Sequence, residues 1–174
     1  MGALVLKGAP MAQVVADKAV RDKVGAAFHV NDTRTFDQDA RFGLIVMSEI
    51  ASRALSPGLN DPGTAIDVIG RLERLLAGTF ATEEAAAPRY PTLWVRAVTP
   101  AHLMTDAFSA IARDGAAHVE VGIRLPKALR TLRHTSDPLL AEAARTMTAR
   151  ALAHAEDRLF LPDDKARLRA LASS

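Results

Sequence analysis

Four stretches of the chain, residues 42–55, 64–80, 100–113 and 138–158, repeat apolar residues three and four positions apart, the spacing that lines one face of an α-helix. In the second stretch Ala65, Ile69, Leu72 and Leu76 run down one side, with Val68 and Leu75 beside them. In the third, Leu103, Met104, Ala107, Phe108 and Ile111 form the inner face. The last three stretches each follow a cap and a proline: Asp61-Pro62, Thr99-Pro100 and Ser136-Asp137-Pro138. A side-chain oxygen at the cap accepts backbone N–H groups that have no partner inside the helix, and proline at the first position sacrifices no hydrogen bond. The pattern predicts a mainly α, multi-helix domain. Residues 16–27 add a helical composition, and Pro162-Asp163-Asp164 starts a short last helix.

The first stretch extends back to Thr35, giving a long helix from Thr35 to Leu55. Phe42, Leu44, Ile45, Val46, Met47, Ile50, Ala51, Ala54 and Leu55 cover more than one of its faces, which predicts burial between layers. Ser56-Pro57-Gly58-Leu59-Asn60 ends it, because Pro57 cannot continue the ladder and Gly58 tolerates a left-handed conformation. Residues 117–135 fit both a strand and a helix, and are read as a helix kinked at Pro126.

A minor β-hairpin or small sheet is expected near the N-terminus. Leu4-Val5-Leu6 and Met11 to Val15 flank the turn Lys7-Gly8-Ala9-Pro10, which reads as a hairpin over 3–15. Ala27 to Val30 reads as a further short strand. Thr92 to Val98, carrying Trp94, reads as a strand beyond a connector over 81–91. Residues 1–174 are read as a single soluble helical domain, with the 1–15 hairpin continuing a subdomain upstream.

Composition sets bounds on chemistry. Of 174 residues, 49% are hydrophobic and 24% charged, enough apolar matter for a packed core and too much for a disordered chain. Aromatics are 5%, so the core is built from Ala, Leu, Val and Ile. Lys and Arg number 22 against 20 Asp and Glu, a balance that exerts little pull on nucleic acid, and no nucleic-acid partner is expected. With no cysteine, disulfides, thiolate metal sites and cysteine nucleophiles are excluded together. No apolar run approaches the ~20 residues of a membrane-spanning helix. No G-x-S-x-G or H-E-x-x-H sequence occurs, and His29, His102, His118, His134 and His154 are not at metal spacing. No catalytic residue, metal or cofactor is assigned.

Three polar clusters carry the remaining options. Asp32, Asp37, Gln38 and Asp39 precede the long helix; their oxygens suit a divalent cation, but the preferred reading is that they serve a helix N-terminus. Arg53 to Pro62 forms a tight polar corner between two apolar helices. The amides around Pro62 to Ala65 suit an anion at the helix start, while as a structural corner Arg53 would pair with Glu49 or Asp61 in a partly buried, closed set. Arg124, Lys127, Arg130, Arg133 and His134 drift around a helix without an acid among them. They suit phosphates, or form a solvated face.

The second cluster brings a resemblance. Arg34-Thr35-Phe36-Asp37-Gln38-Asp39, Phe42-Gly43 and the run Glu49 to Pro62 followed by Thr64-Ala65 resemble an uncharacterised family of predicted bacterial membrane proteins, the domain of unknown function twenty-two fifty-four. The likeness continues more loosely through Lys7 to Val14 and Asp106-Ala107-Phe108. It implies a soluble region following membrane-spanning helices, on the cytoplasmic side of a bacterial inner membrane. The family supplies no catalytic residues. Arg34, Gln38, Asp39, Arg53, Ser56, Asn60, Asp61 and Thr64 match its motif and are the candidate ligand-binding residues. The expected function is a non-enzymatic module for assembly, gating or ligand sensing, working as a homo-oligomer. The alternatives are an enzyme on a small anionic substrate, metal-assisted in one version, and a peripheral binder of anionic lipid or nucleic acid.

Overall fold

This computed structural model describes residues 6–10, 12–28, 30–36, 39–79 and 97–173. Most of its helices begin where caps and prolines place them, but the long helix expected from Thr35 begins at Ala40, where the Asp39 carboxylate caps it through the Phe42 N–H. The helices are α1 (Lys18–Ala26), α2 (Ala40–Ala54), α3 (Pro62–Thr79), α4 (Pro100–Asp114), α5 (Val119–Arg133), α6 (Pro138–Arg158) and α7 (Pro162–Ser173). Asp17 caps α1 through the Val20 N–H. Thr99 and His102 form a reciprocal capping box on α4. Asp137 accepts the N–H groups of Leu139 and Leu140 at 2.7 and 2.9 Å, starting α6.

Contacts divide the chain into two units, Met1–Gly43 and Leu44–Ser174. In the larger, α6 packs on α4 and α5, α5 on α3, and α7 on α5 and α6. Ile69, Leu72, Leu76, Met104, Phe108, Ile111, Leu129, Leu132 and Leu140 are fully buried in one core. A smaller cluster of Ala155, Leu159 and Leu168 lies where α7 meets α5 and α6. Burying a Leu- or Ile-sized side chain contributes about 1.5–3 kcal/mol, so this aliphatic set, with a single large aromatic, carries the unit. Pro126 lies inside α5, resolving the ambiguous stretch as helix, although its ring leaves no N–H for the ladder.

The expected sheet is not formed among the described residues. Residues 6–10 and 12–15 contain a turn, with Gly8 at φ 87° and the Ala9 N–H donating to the Leu6 carbonyl at 2.9 Å, but no strand. Turn chemistry was read correctly, and strand pairing was not. A two-stranded hairpin alone is marginal in water, and no strand occurs among the described residues to pair with it. Val30 is not in a strand either, nor are Ala97 and Val98; the rest of the expected 92–98 strand, with Trp94, lies outside the described residues.

Two further expectations change. Leu44, Ser48, Ala51 and Ala54, with Leu55 just after it, give α2 one buried face, while Ile45, Val46 and Met47 are half-buried and Ile50 is exposed, so α2 is not enclosed on all sides. The left-handed residue of the following corner is Asn60, at φ 48°, and not Gly58. Asparagine takes this conformation more readily than most residues because its short polar side chain bonds locally.

Candidate functional site

The motif residues fall into two groups. In the Met1–Gly43 unit, Arg34 Nε and Nη2 both donate to Asp39 Oδ2, at 3.0 and 2.6 Å. Asp39 Oδ1 accepts the Phe42 N–H at 3.2 Å, the contact an N-terminal cap makes. Arg34 lies 4.8 Å from the centroid of the Phe42 ring, which stacks on Phe36 at 4.8 Å and 23°. The cation therefore touches a carboxylate and a π-face together. Burial pushes the Asp39 carboxyl up, but the Arg34 hydrogen bond, the Phe42 amide and the Arg34 charge together outweigh it and hold the group below the ordinary carboxylate range. Asp39 is thus engaged within the chain, and it is 8% exposed. Asp32 is on the surface, while Asp37 and Gln38 lie outside the described residues.

The second group is the α2–α3 corner. The Leu59 and Asn60 N–H groups donate to the Ser56 carbonyl at 3.0 and 2.8 Å, and the Asp61 N–H reaches back to the Ala54 carbonyl at 2.9 Å. Asp61 then caps α3: Oδ1 accepts the Thr64 N–H at 3.1 Å and Oδ2 the Thr64 hydroxyl at 2.6 Å. The Thr64 hydroxyl first, and its amide second, hold the Asp61 carboxyl below its ordinary range. The expected partly buried closed set is not there. Arg53, Asn60 and Asp61 are all exposed, and Arg53 has no ion-pair partner among the described residues. The corner closes through its own backbone and one local cap, so it needs no arginine.

Two polar links escaped the sequence reading. Ser52 donates a short hydrogen bond to Asp114 Oδ2, joining α2 to the end of α4. Arg113 grips the same carboxylate with two donors, at 2.6 and 3.0 Å. The Arg113 hydrogen bond is the main cause holding Asp114 below its ordinary range; burial opposes it, and Ser52, the Arg113 charge and His154 add to it. The signal was the serine pair Ser48 and Ser52 on the inward side of an apolar helix, although the partner across space could not be read. Ser48 is buried with its hydroxyl unpartnered among the described residues. The second link is Arg124 to Glu73 at 2.6 Å, half-buried between α5 and α3. With Arg133 donating to the Ala172 carbonyl at 3.2 Å, the basic stripe is broken: two of its five members serve the fold, while Lys127 and His134 face solvent.

A concavity of about 410 Å³ opens between α4 and α6. Met104, Ala143 and Met147 form its floor, and Leu139, Glu142 and Arg150 stand on its α6 rim. None of the motif residues lines it. No group of three or more His, Asp or Glu side chains among the described residues is placed to hold a metal ion. No helix among them is long and apolar enough to cross a membrane.

Sequence comparison finds uncharacterised proteins of Mycobacterium tuberculosis and Mycobacterium bovis, each 59% identical over 44 residues. That alignment spans 25% of this chain and 8% of the length of those proteins. No solved structure matches. The model of a predicted membrane protein family, DUF2254, matches residues 1–131 of the 174, and the chain belongs to that family.

Proposed function

We propose that this stretch is a non-catalytic helical module through which its parent membrane protein self-associates. The observation that carries the reading is the character of the α4/α6 concavity. Its floor is Met and Ala, its shape is an open groove, and four of the motif's polar side chains, Arg34, Asp39, Asp61 and Thr64, are engaged elsewhere in an ion pair and caps. A small-molecule or catalytic site brings several polar groups to converge on a pocket. An apolar trough between two helices suits another protein surface. Further support comes from the exposed apolar side chains of the same unit: Leu139, Leu59, Leu75 and Ile50. Family membership supports a parent anchored in a membrane, where a module that pairs copies would set the arrangement of the membrane-spanning parts.

Light scattering over a concentration series tests the reading. The expected result is a mass above that of one chain, rising with concentration through the micromolar range. A strict monomer at high micromolar concentration would sink it.

A further inference from the structure

We infer that two copies pair through their α4/α6 grooves, with the α6 helices antiparallel about a two-fold axis at Thr146. The inference rests on the self-association reading above and adds the surface and its geometry.

Leu139, Glu142, Ala143, Thr146, Met147 and Arg150 all line the groove. Their spacing of three, one, three, one and three is that of one helix face, the seam along which two helices pack. The middle of the face carries no charge: Thr146 is exposed there, over the buried Ala143 and Met147 of the groove floor. The charges of the face are at its ends, and they are opposite. Glu142 and Arg150 are each four residues from Thr146, one before it and one after.

A two-fold axis at Thr146 brings each residue opposite the one equally far on the other side. Glu142 of one copy then meets Arg150 of the other, and the same pair forms again by symmetry, as in any isologous interface. A parallel arrangement would set Glu142 on Glu142 and Arg150 on Arg150. Like charges face to face are disfavoured, so the charge pattern selects the antiparallel pairing. The partners that both groups have in their own chain are exposed and worth little. Glu142 touches Arg145 at 3.1 Å with both side chains more than half exposed, and Arg150 has a 3.4 Å contact with Ser109.

Charge exchange in the 174-residue chain tests the geometry, read by sedimentation equilibrium. Glu142→Arg and Arg150→Glu each turn two attractive pairs into two repulsive ones, and each should weaken association at least tenfold. The double variant should restore it to within a few-fold of the parent. Residues 142 and 150 are roughly 12 Å apart along one helix, so the rescue can only come from another copy. Thr146→Arg, an exposed position on the axis, should abolish pairing without any change in the thermal melt of the monomer, and it keeps the test decisive if a charge variant folds poorly. A parent that associates while all these variants associate equally well overturns the groove and leaves the self-association reading standing. A parent that is monomeric overturns both. A monomer that sediments with phosphatidylglycerol vesicles, or takes up an alkyl-chain probe in the groove, assigns the trough to lipid and also overturns the pairing.

Discussion

Gly115 follows α4 at φ −84°, a conformation open to any residue, yet a Cβ there would stand 2.5 Å from Val121 Cγ1 and 2.8 Å from the Ile111 carbonyl oxygen. One obstacle is a buried β-branched side chain and the other is backbone, so neither can swing aside. Gly115→Ala should therefore destabilise the larger unit by about 1–3 kcal/mol, the usual cost of overpacking, despite the lower entropy of its unfolded chain. Denaturant melts check this; a variant as stable as the parent would mean that the α4–α5 turn is looser than its contacts indicate. One residue earlier, Asp114 makes a prediction about pH. Its folded carboxyl is held below the ordinary range, so between the two states the unfolded chain binds protons more readily, and stability rises with pH in that window. The contribution is complete above about pH 4, near the unfolded value, and is lost as pH falls through the lower folded value. Asp114→Asn should cost roughly 1–3 kcal/mol at pH 7 by weakening the Arg113 and Ser52 contacts. It should also flatten the decline of stability below pH 4, and an unchanged acid limb would remove Asp114 from the account.

At the scale of elements, helix starts were legible because their chemistry is local. Asp61-Pro62, Thr99-Pro100 and Asp137-Pro138 each announce a helix within a few residues, and each helix begins at its proline. Asp137→Ala removes an acceptor that serves two N–H groups, and should cost about 1 kcal/mol, visible as a lower melting temperature with the helical signal retained. Interiors were legible by the same logic: Leu103, Met104, Ala107, Phe108 and Ile111, chosen by spacing, are all buried. What could not be read was whatever depends on a distant partner. An arginine between apolar helices needs a partner if it is buried, but Arg53 lies on the side of α2 away from the buried Ala51 and Leu55 and is exposed. Arg124 was placed in a basic stripe, whereas Glu73, fifty-one residues away, takes it into the α3–α5 contact. The hairpin failed for a related reason: a turn is written in four residues, but a strand exists only if a neighbour supplies its hydrogen bonds. Of the candidate site, the Asp61 cap was readable from sequence, and the Arg34–Asp39–Phe42 stack was readable only as an acidic helix start.

For the molecule as a whole, the family match and the core do not end at the same place. The match stops at residue 131, yet α6 and α7 follow it, and α6 is the helix against which both α4 and α5 pack. Leu140, Ala144 and Met147 share one buried cluster with Phe108 and Leu129. Ending the chain after Thr135 would bare the faces of α4 and α5 that these residues cover. Each fully buried Leu or Met forgoes about 1.5–3 kcal/mol when its burial is lost, and the total stability of a domain this size is about 5–15 kcal/mol. Losing one whole side of the core therefore exceeds the available margin. The truncated chain should keep part of its helical circular dichroism, bind a hydrophobic dye and melt without a cooperative transition. Ending it after Phe160 instead removes only α7, which covers the small cluster around Leu168 and leaves the main core intact. That shorter cut should lower the melting temperature while preserving a cooperative transition. The two truncations separate helix content from core closure: if the chain ending at Thr135 unfolds as sharply as the parent, α6 is an appendage, and the folding unit is the stretch that the family model covers.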